Sequence, residues 1–271
     1  MMRLMSALAI GAVALAALSG GARALRTRAQ GVLLEELTWI EARDRLTPDS
    51  IVVIPLGAAA KEHGPHLRLR NDWTMAEYLK RRVLEQARVI VAPTINYSFY
   101  PAFVEYPGST SLRFETARDL VVDVINSLAH HGPRRFYVLN TGVSTVRPLE
   151  AAARVLAGDG ILLRYTDIIK ASEAVETIVK QEKEGTHADE IETSMMLYIE
   201  PGSVDMSKAT KDYPSGVGPL TPNPGQAGGY SPSGIYGDAT LATRDKGRKV
   251  VEATVQAILQ DIDGLKRAPL P

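Results

Sequence analysis

Two runs decide the architecture: Ile51-Val52-Val53-Ile54-Pro55-Leu56, stopped by Gly57, and Phe136-Tyr137-Val138-Leu139, followed by Asn140-Thr141-Gly142. Both are apolar throughout rather than at alternate positions, the pattern of a strand buried on both faces of a sheet. Val89-Ile90-Val91 and Ile161-Leu162-Leu163-Arg164-Tyr165 are shorter runs of the same kind. Helical spacing lies between and beyond them. Leu37 to Leu46 reads as a short capped helix, and Asp72 to Ala87 carries Met75, Tyr78, Leu79 and Val83 on one face. Phe114 to His130 is amphipathic and stops at Gly132-Pro133. Helices are expected around 168–183 and 188–199, and a long one from Thr243 to Leu265. Strands alternating with helices predict an α/β fold, a three-layer α/β/α sandwich with a mostly parallel sheet. Ligands bind such sheets at the carboxyl ends of the strands, so chemistry is expected just after Leu56, Val91, Leu139 and Tyr165.

Composition narrows the chemistry. The 271 residues are 45% hydrophobic and 23% charged, enough for one sizeable core and too ordered for a low-complexity chain. Lys+Arg and Asp+Glu are 31 each, so no net charge favours nucleic acid or an anionic membrane. With no cysteine there is no disulfide framework, thiolate metal site or cysteine nucleophile. Imidazole chemistry must come from His63, His66, His130, His131 and His187. His130 and His131 end a helix, where partial positive charge is favoured, and read as structural.

The N-terminus has its own pattern. Arg3 precedes an apolar run from Ala7 to Leu18, then small residues and Ala22-Arg23-Ala24. That is the layout of a secretory signal peptide over 1–24, with a cut as late as residue 29 conceivable from Thr27-Arg28-Ala29. The run is shorter than the ~20 residues a bilayer span needs. The expectation is an exported protein, periplasmic or secreted, without stable membrane anchoring after cleavage, whose residues 30–271 form a single domain. An uncleaved signal anchor is the alternative.

The loop after the first long strand carries the chemistry. It reads Gly57-Ala58-Ala59-Ala60-Lys61-Glu62-His63-Gly64-Pro65-His66-Leu67-Arg68-Leu69-Arg70-Asn71-Asp72. Two imidazoles and two carboxylates in a Gly/Pro-bent loop suit Zn²⁺, Mn²⁺ or Fe²⁺ better than Ca²⁺, which prefers oxygen donors. A solvated polar loop with Asp72 capping the next helix is the plainer alternative. Residues 93–112, rich in turn formers and aromatics, form a second loop in which Tyr97, Phe99, Tyr100, Phe103 and Tyr106 could wall a pocket. Thr186, followed by Asp189 and Glu190, reads as the N-cap of the helix carrying Glu192.

These residues resemble the creatininase family of metal-dependent amidohydrolases. Its first motif, approximately P-x-G-S-x-E-Q-H-G-P-H-L-P-L-x-T-D, is matched by Pro55, Gly57, His63-Gly64-Pro65-His66-Leu67, Leu69 and Asp72. Further segments resemble the family in order: Leu34 to Trp39, Tyr106-Pro107-Gly108-Ser109-Thr110-Ser111-Leu112, Ala129 to Arg135, His187 to Ser194, and Ala242 to Gly247. The resemblance implies a creatininase-like fold, a divalent metal and a homo-oligomer. It also implies a small-molecule amide substrate.

Two departures fall on implied ligands. The family's glutamate two residues before the first motif histidine is Lys61 here, with Glu62 adjacent to His63 and one extra residue after Gly57. The family's histidine after the third strand is replaced by Gly142. The implied metal set is therefore Glu62, His63, Asp72 and Glu192, holding one Zn or Mn ion, with Fe as a further option. Glu192 and His187 are the implied proton carriers. His66, Tyr106, Asn140 and Ser144 are the candidates for substrate contact. Without a metal, Lys61 is expected to sit in its place as a fixed cation, paired with Asp72 or Glu192. Two functions stay open: an amidohydrolase that splits a cyclic or linear amide C–N bond with metal-activated water, and a metal-poor relative that only binds a small molecule.

Overall fold

Ile51–Leu56 is buried at every position and forms strand β2 of a five-stranded, wholly parallel sheet in the computed structural model, which describes residues 29–271. The signal-peptide pattern lies outside the described residues. The other strands are β1 (Val32–Leu33), β3 (Ile90–Val91), β4 (Arg135–Asn140) and β5 (Leu162–Tyr165), in the spatial order β1-β3-β2-β4-β5. Ile51 through Leu56 pair in register with Arg135 through Asn140. The chain leaves β2 toward β3 on one side and then returns to place β4 on the other. The two strands therefore diverge at a switch point, where a crevice opens beyond their carboxyl ends.

Successive residues of a strand point to opposite faces, and the core divides accordingly. Val52, Ile54, Leu56, Phe136 and Val138 pack with Ile125 and Leu149, from α3 (Phe114–Ala129) and α4 (Val146–Ala157). Ile51, Val53, Tyr137 and Leu139 pack on the other face. There they meet Met75 and Leu79 of α2 (Asn71–Gln86), Ile191 and Met195 of a later helix (Glu190–Ile199), and Val250 and Val255 of the C-terminal helix (Arg244–Arg267). With α1 (Trp39–Arg45) and α5 (Ile168–Val179), those two helices become α6 and α7. The result is the three-layer α/β/α sandwich expected from the sequence. Among the described residues, no helix is long and apolar enough to cross a membrane.

In the main sandwich the structure adds β1 and α4, which the sequence reading did not contain. β1 is only two residues long, too short for a periodic signal. Helix α4 carries Pro148 in its first turn, where the missing N–H breaks no helical hydrogen bond. Two helix starts also differ. Asp72 sits inside the first turn of α2 and does not cap it; Arg70 is at the N-cap. For α6 the cap is Asp189, not Thr186: its side chain accepts from the backbone N–H groups of Ile191 and Glu192. Helix α5 ends at Val179, short of the expected 183, and residues 180–189 are irregular up to the start of the next helix. The irregular stretch 210–236 holds short two-stranded pairings, and Tyr236 bridges to His187.

Candidate metal centre

Two loops build the floor of the site. Gly57 N donates to Ile95 O, Ala59 N to Asn96 O, Thr110 N to Ala60 O, and Glu62 N to the Ser109 hydroxyl, so the loops after β2 and β3 are laced together. Gly57 has a steric reason: a Cβ there would fall 2.4 Å from the carbonyl oxygen of Asp72. That close approach lets the start of α2 lie directly against the end of β2. Thr141, just past β4, donates to the carbonyls of Leu56 and Asp72 and ties the same corner.

The third contributor arrives from the other half of the chain. Ile191 and Met195 anchor α6 in the core and turn its N-terminus toward these loops. Ala188, fully buried, is held there at φ 49°, the left-handed region that non-glycine residues avoid. Its N–H donates to Glu192 Oε2 at 2.7 Å. Such strain persists where the surroundings impose it, and here it lies between His187 and Glu192.

His63, His187 and Glu192 converge. Among the described residues they form the one group of three or more His, Asp or Glu side chains whose donor atoms all lie within 4.8 Å of one another. His63 Nε2 is 3.3 Å from Glu192 Oε1, and His187 Nδ1 is 3.7 Å from Glu192 Oε2. Two ligands each ~2.0–2.1 Å from a tetrahedral zinc are about 3.3 Å apart, so the donor set fits a divalent ion. The tautomers fit as well. His63 Nδ1 donates to the backbone carbonyl of Lys61 at 2.9 Å, which leaves Nε2 as the lone pair facing the carboxylates. His187 Nε2 donates to Glu62 Oε2 at 3.0 Å and leaves Nδ1 on the Glu192 side.

The other two expected ligands, Asp72 and Glu62, border this group without belonging to it. Asp72 is buried, with Oδ1 2.8 Å from His63 Nε2 and Oδ2 2.8 Å from Lys61 Nζ. Glu62 accepts from His187 and from Gly64 N, and lies outside the three-residue group. Lys61, buried at 6% exposure, stands over the rings of Phe103 and Tyr100, 4.9 and 5.6 Å from their centres. Phe103 also packs on His187, ring centres 4.1 Å apart. Of the loop aromatics, Tyr97 is half exposed and Phe99 packs on Phe114, away from this cluster.

Charges in the cluster support one another. Burial pulls the His63 imidazole down and so does Lys61, but the Asp72 and Glu192 carboxylates outweigh both and raise it to about 9. Burial opposes ionisation of Glu192, yet His63, His187 and Lys61 hold it well below the usual carboxylate range. Asp72 is likewise lowered against burial, by Lys61 and then His63. Burial pushes His66 down to about 4, which keeps it neutral near pH 7.

The expected substrate contacts separate into two groups. His66 Nε2 lies 2.8 Å from the Thr193 hydroxyl, which also lies 3.3 Å from the carbonyl oxygen of Ala188. His66 Nδ1 is buried with no hydrogen-bond partner among the described residues. Tyr106 is buried and donates to Ser231 O at 2.7 Å. Asn140 is spent inside the protein: its amide donates to Gly142 O and Thr166 O, and its oxygen accepts from Gly142 N and Thr145 Oγ. Ser144 is half-buried on the loop between β4 and α4.

Sequence reasoning did not find Asn71, whose Nδ2 donates to Glu192 Oε1 at 3.0 Å. Its only signal was adjacency to Asp72. Nor did it find Glu182, or any role for Glu190 beyond the first turn of α6. Glu190, fully buried, accepts from Gln181 N, Glu182 N and Lys246 Nζ; Glu182 accepts from Glu190 N and Asp238 N.

The sequence profile of the creatininase family, described as creatinine amidohydrolase, matches residues 35–262. The creatinine amidohydrolase of Pseudomonas putida is 28% identical over 86% of this chain and 96% of its own length. The 3-dehydro-scyllo-inosose hydrolase of Thermotoga maritima is 26% identical over 87% and 85%. Among solved structures, a mutant creatininase of Zn-Zn type superimposes with a TM-score of 0.73 at 27% identity, covering 88% of this chain and 99% of the other. A manganese creatininase gives 0.72 at 26%, covering 88% and 100%. Solved creatininases with zinc or manganese and the His/Glu donor set found here agree on a divalent metal. The profile spans most of the chain, the motifs fall in order and a solved creatininase superimposes over 88% of it: this protein belongs to the creatininase family of amidohydrolases.

Proposed function

We propose that the protein hydrolyses a cyclic or linear amide C–N bond of a small molecule, using one divalent ion held by His63, His187 and Glu192. The observation that carries this reading is the convergence of those donors beyond the carboxyl ends of the strands. An ion bound there supplies a Lewis acid that polarises a carbonyl and makes water a nucleophile near neutral pH. Glu192, held ionised, serves as an anionic ligand and is a poor proton carrier. Glu62, oriented by His187, is the better one: it takes the proton that the attacking water loses at a carboxylate oxygen and passes it to the leaving nitrogen as the C–N bond breaks. His66 Nδ1, a buried polar atom without a partner among the described residues, suits a polar group of the substrate. Phe103 on His187 restricts water on that side.

The relatives differ in substrate by their names, creatinine in one and an inosose derivative in another, so the fold does not choose it. The test is hydrolysis of a panel of cyclic and linear amides by the purified chain, with and without prior chelation. Turnover that is lost on chelation and restored by Zn²⁺ or Mn²⁺ supports the proposal. A chain that takes up no metal and turns over no amide, yet binds one of them, would favour the metal-poor binding-protein reading. Export with cleavage near residue 24 and assembly into a homo-oligomer belong to the same proposal. N-terminal sequencing of the periplasmic fraction and light scattering test them.

A further inference from the structure

Lys61 is an unusual residue for the inside of a metal site. Burying an ammonium is strongly unfavourable unless a counter-charge meets it, and Lys61 is met by Asp72 Oδ2 at 2.8 Å over the rings of Phe103 and Tyr100. The same Asp72 touches His63, one of the donors. On the β4 side, Gly142 leaves no room for a longer side chain. A Cβ there would lie 2.8 Å from Thr145 Oγ, which is itself bonded to Asn140, and 3.2 Å from a ring carbon of Tyr100. The ammonium occupies Asp72 Oδ2, an oxygen that a second ion would need to share, and Gly142 supplies no donor in place of a ligand on the β4 side.

The charges balance in the same sense. Glu62, Asp72 and Glu192 bring three negative charges to the cluster, matched by one ammonium and one divalent ion with the imidazoles neutral. A second divalent ion would leave two positive charges uncompensated in a buried site, which is strongly unfavourable.

We propose that the Lys61 ammonium is the permanent second cation of this centre, holding Asp72 and limiting the site to a single divalent ion. This rests on the single-ion reading above. The test is metal content and affinity of the purified full chain, independent of turnover. Wild-type protein loaded with excess Zn²⁺ and dialysed should retain one ion per chain. In competition with a chromophoric chelator, Lys61→Met should bind Zn²⁺ at least tenfold more tightly, because a neighbouring positive charge is gone and Asp72 is released. Lys61→Arg should stay within threefold of wild type. Circular dichroism confirms folding, and if the methionine chain does not fold, Lys61→Gln is read in the same way. Two ions per wild-type chain would overturn the inference whatever the variants do. One ion with unchanged or weaker binding by the neutral variant would overturn it while leaving the proposed function intact. A wild-type chain that holds no ion would sink both.

Discussion

His63 Nε2 and Glu192 Oε1 meet at 3.3 Å, although one leaves the first long strand and the other rides on a helix from the far half of the chain. Without a positive centre between them, a ring lone pair would face two carboxylates, Asp72 and Glu192, at hydrogen-bond range. In the metal-free protein a proton on His63 serves, which is why its pKa rises to about 9. A divalent ion takes the same place in the loaded protein.

His63→Ala removes that centre. The variant should lose its bound ion and its amide hydrolysis by about 100-fold or more, beyond the ~10–100-fold typical of outer hydrogen-bond partners. Elemental analysis and initial rates on the best amide substrate check this. Retention of stoichiometric metal would show that His63 is not a ligand.

Asn71 acts one step further out, through its 3.0 Å hydrogen bond to Glu192 Oε1. Asn71→Ala should weaken metal binding about 10–100-fold while leaving the stoichiometry at saturation unchanged. Chelator competition gives the number, and an unaltered affinity would mean that the bond does not orient the carboxylate.

Restoring a histidine at position 142 should not repair the family pattern. The Cβ would fall 2.8 Å from Thr145 Oγ, in a turn held by Asn140, so Gly142→His should destabilise by roughly 1–3 kcal/mol. Denaturant unfolding measures the loss. A variant as stable as wild type would show that the turn repacks.

Glu182 gives a pH dependence away from the metal. Burial and then the neighbouring Asp189 charge raise its pKa to about 7, above the ~4.3 of an unfolded glutamate. A raised carboxyl stabilises the fold most below its unfolded pKa, and that contribution is lost as pH climbs through about 7. The melting temperature should therefore fall between pH 5 and pH 8 by a component that Glu182→Gln removes. Equal slopes in the two proteins would exclude Glu182 as the source.

Most of the sheet was legible because its strands are continuous apolar runs and its helices keep a 3.6-residue period. β1 was not, since two residues carry no period, and α4 was obscured by a proline that its first turn tolerates. The cap of α6 shows the limit of local rules: Thr186 and Asp189 both have capping chemistry, and the bridge between His187 and Tyr236 leaves the cap to Asp189. The site was half legible. His63 and Asp72 stand in one short loop, and the likeness of 187–194 to a family motif named His187 and Glu192. Asn71 and the Glu182–Glu190 pair bear no local mark, because their roles exist only toward residues distant in the chain.

The order of apolar runs and turn residues by itself determined a parallel sheet with chemistry at its carboxyl ends, since burial on both faces and chain punctuation are written locally. Only the tertiary structure decided that Lys61 takes Asp72, that Glu62 takes His187, and that Glu192 reaches His63. Those pairings depend on how Ile191 and Met195 seat α6 against α2 and α7 in the shared core. Packing of distant apolar faces, rather than spacing along the chain, chooses which carboxylate meets which cation.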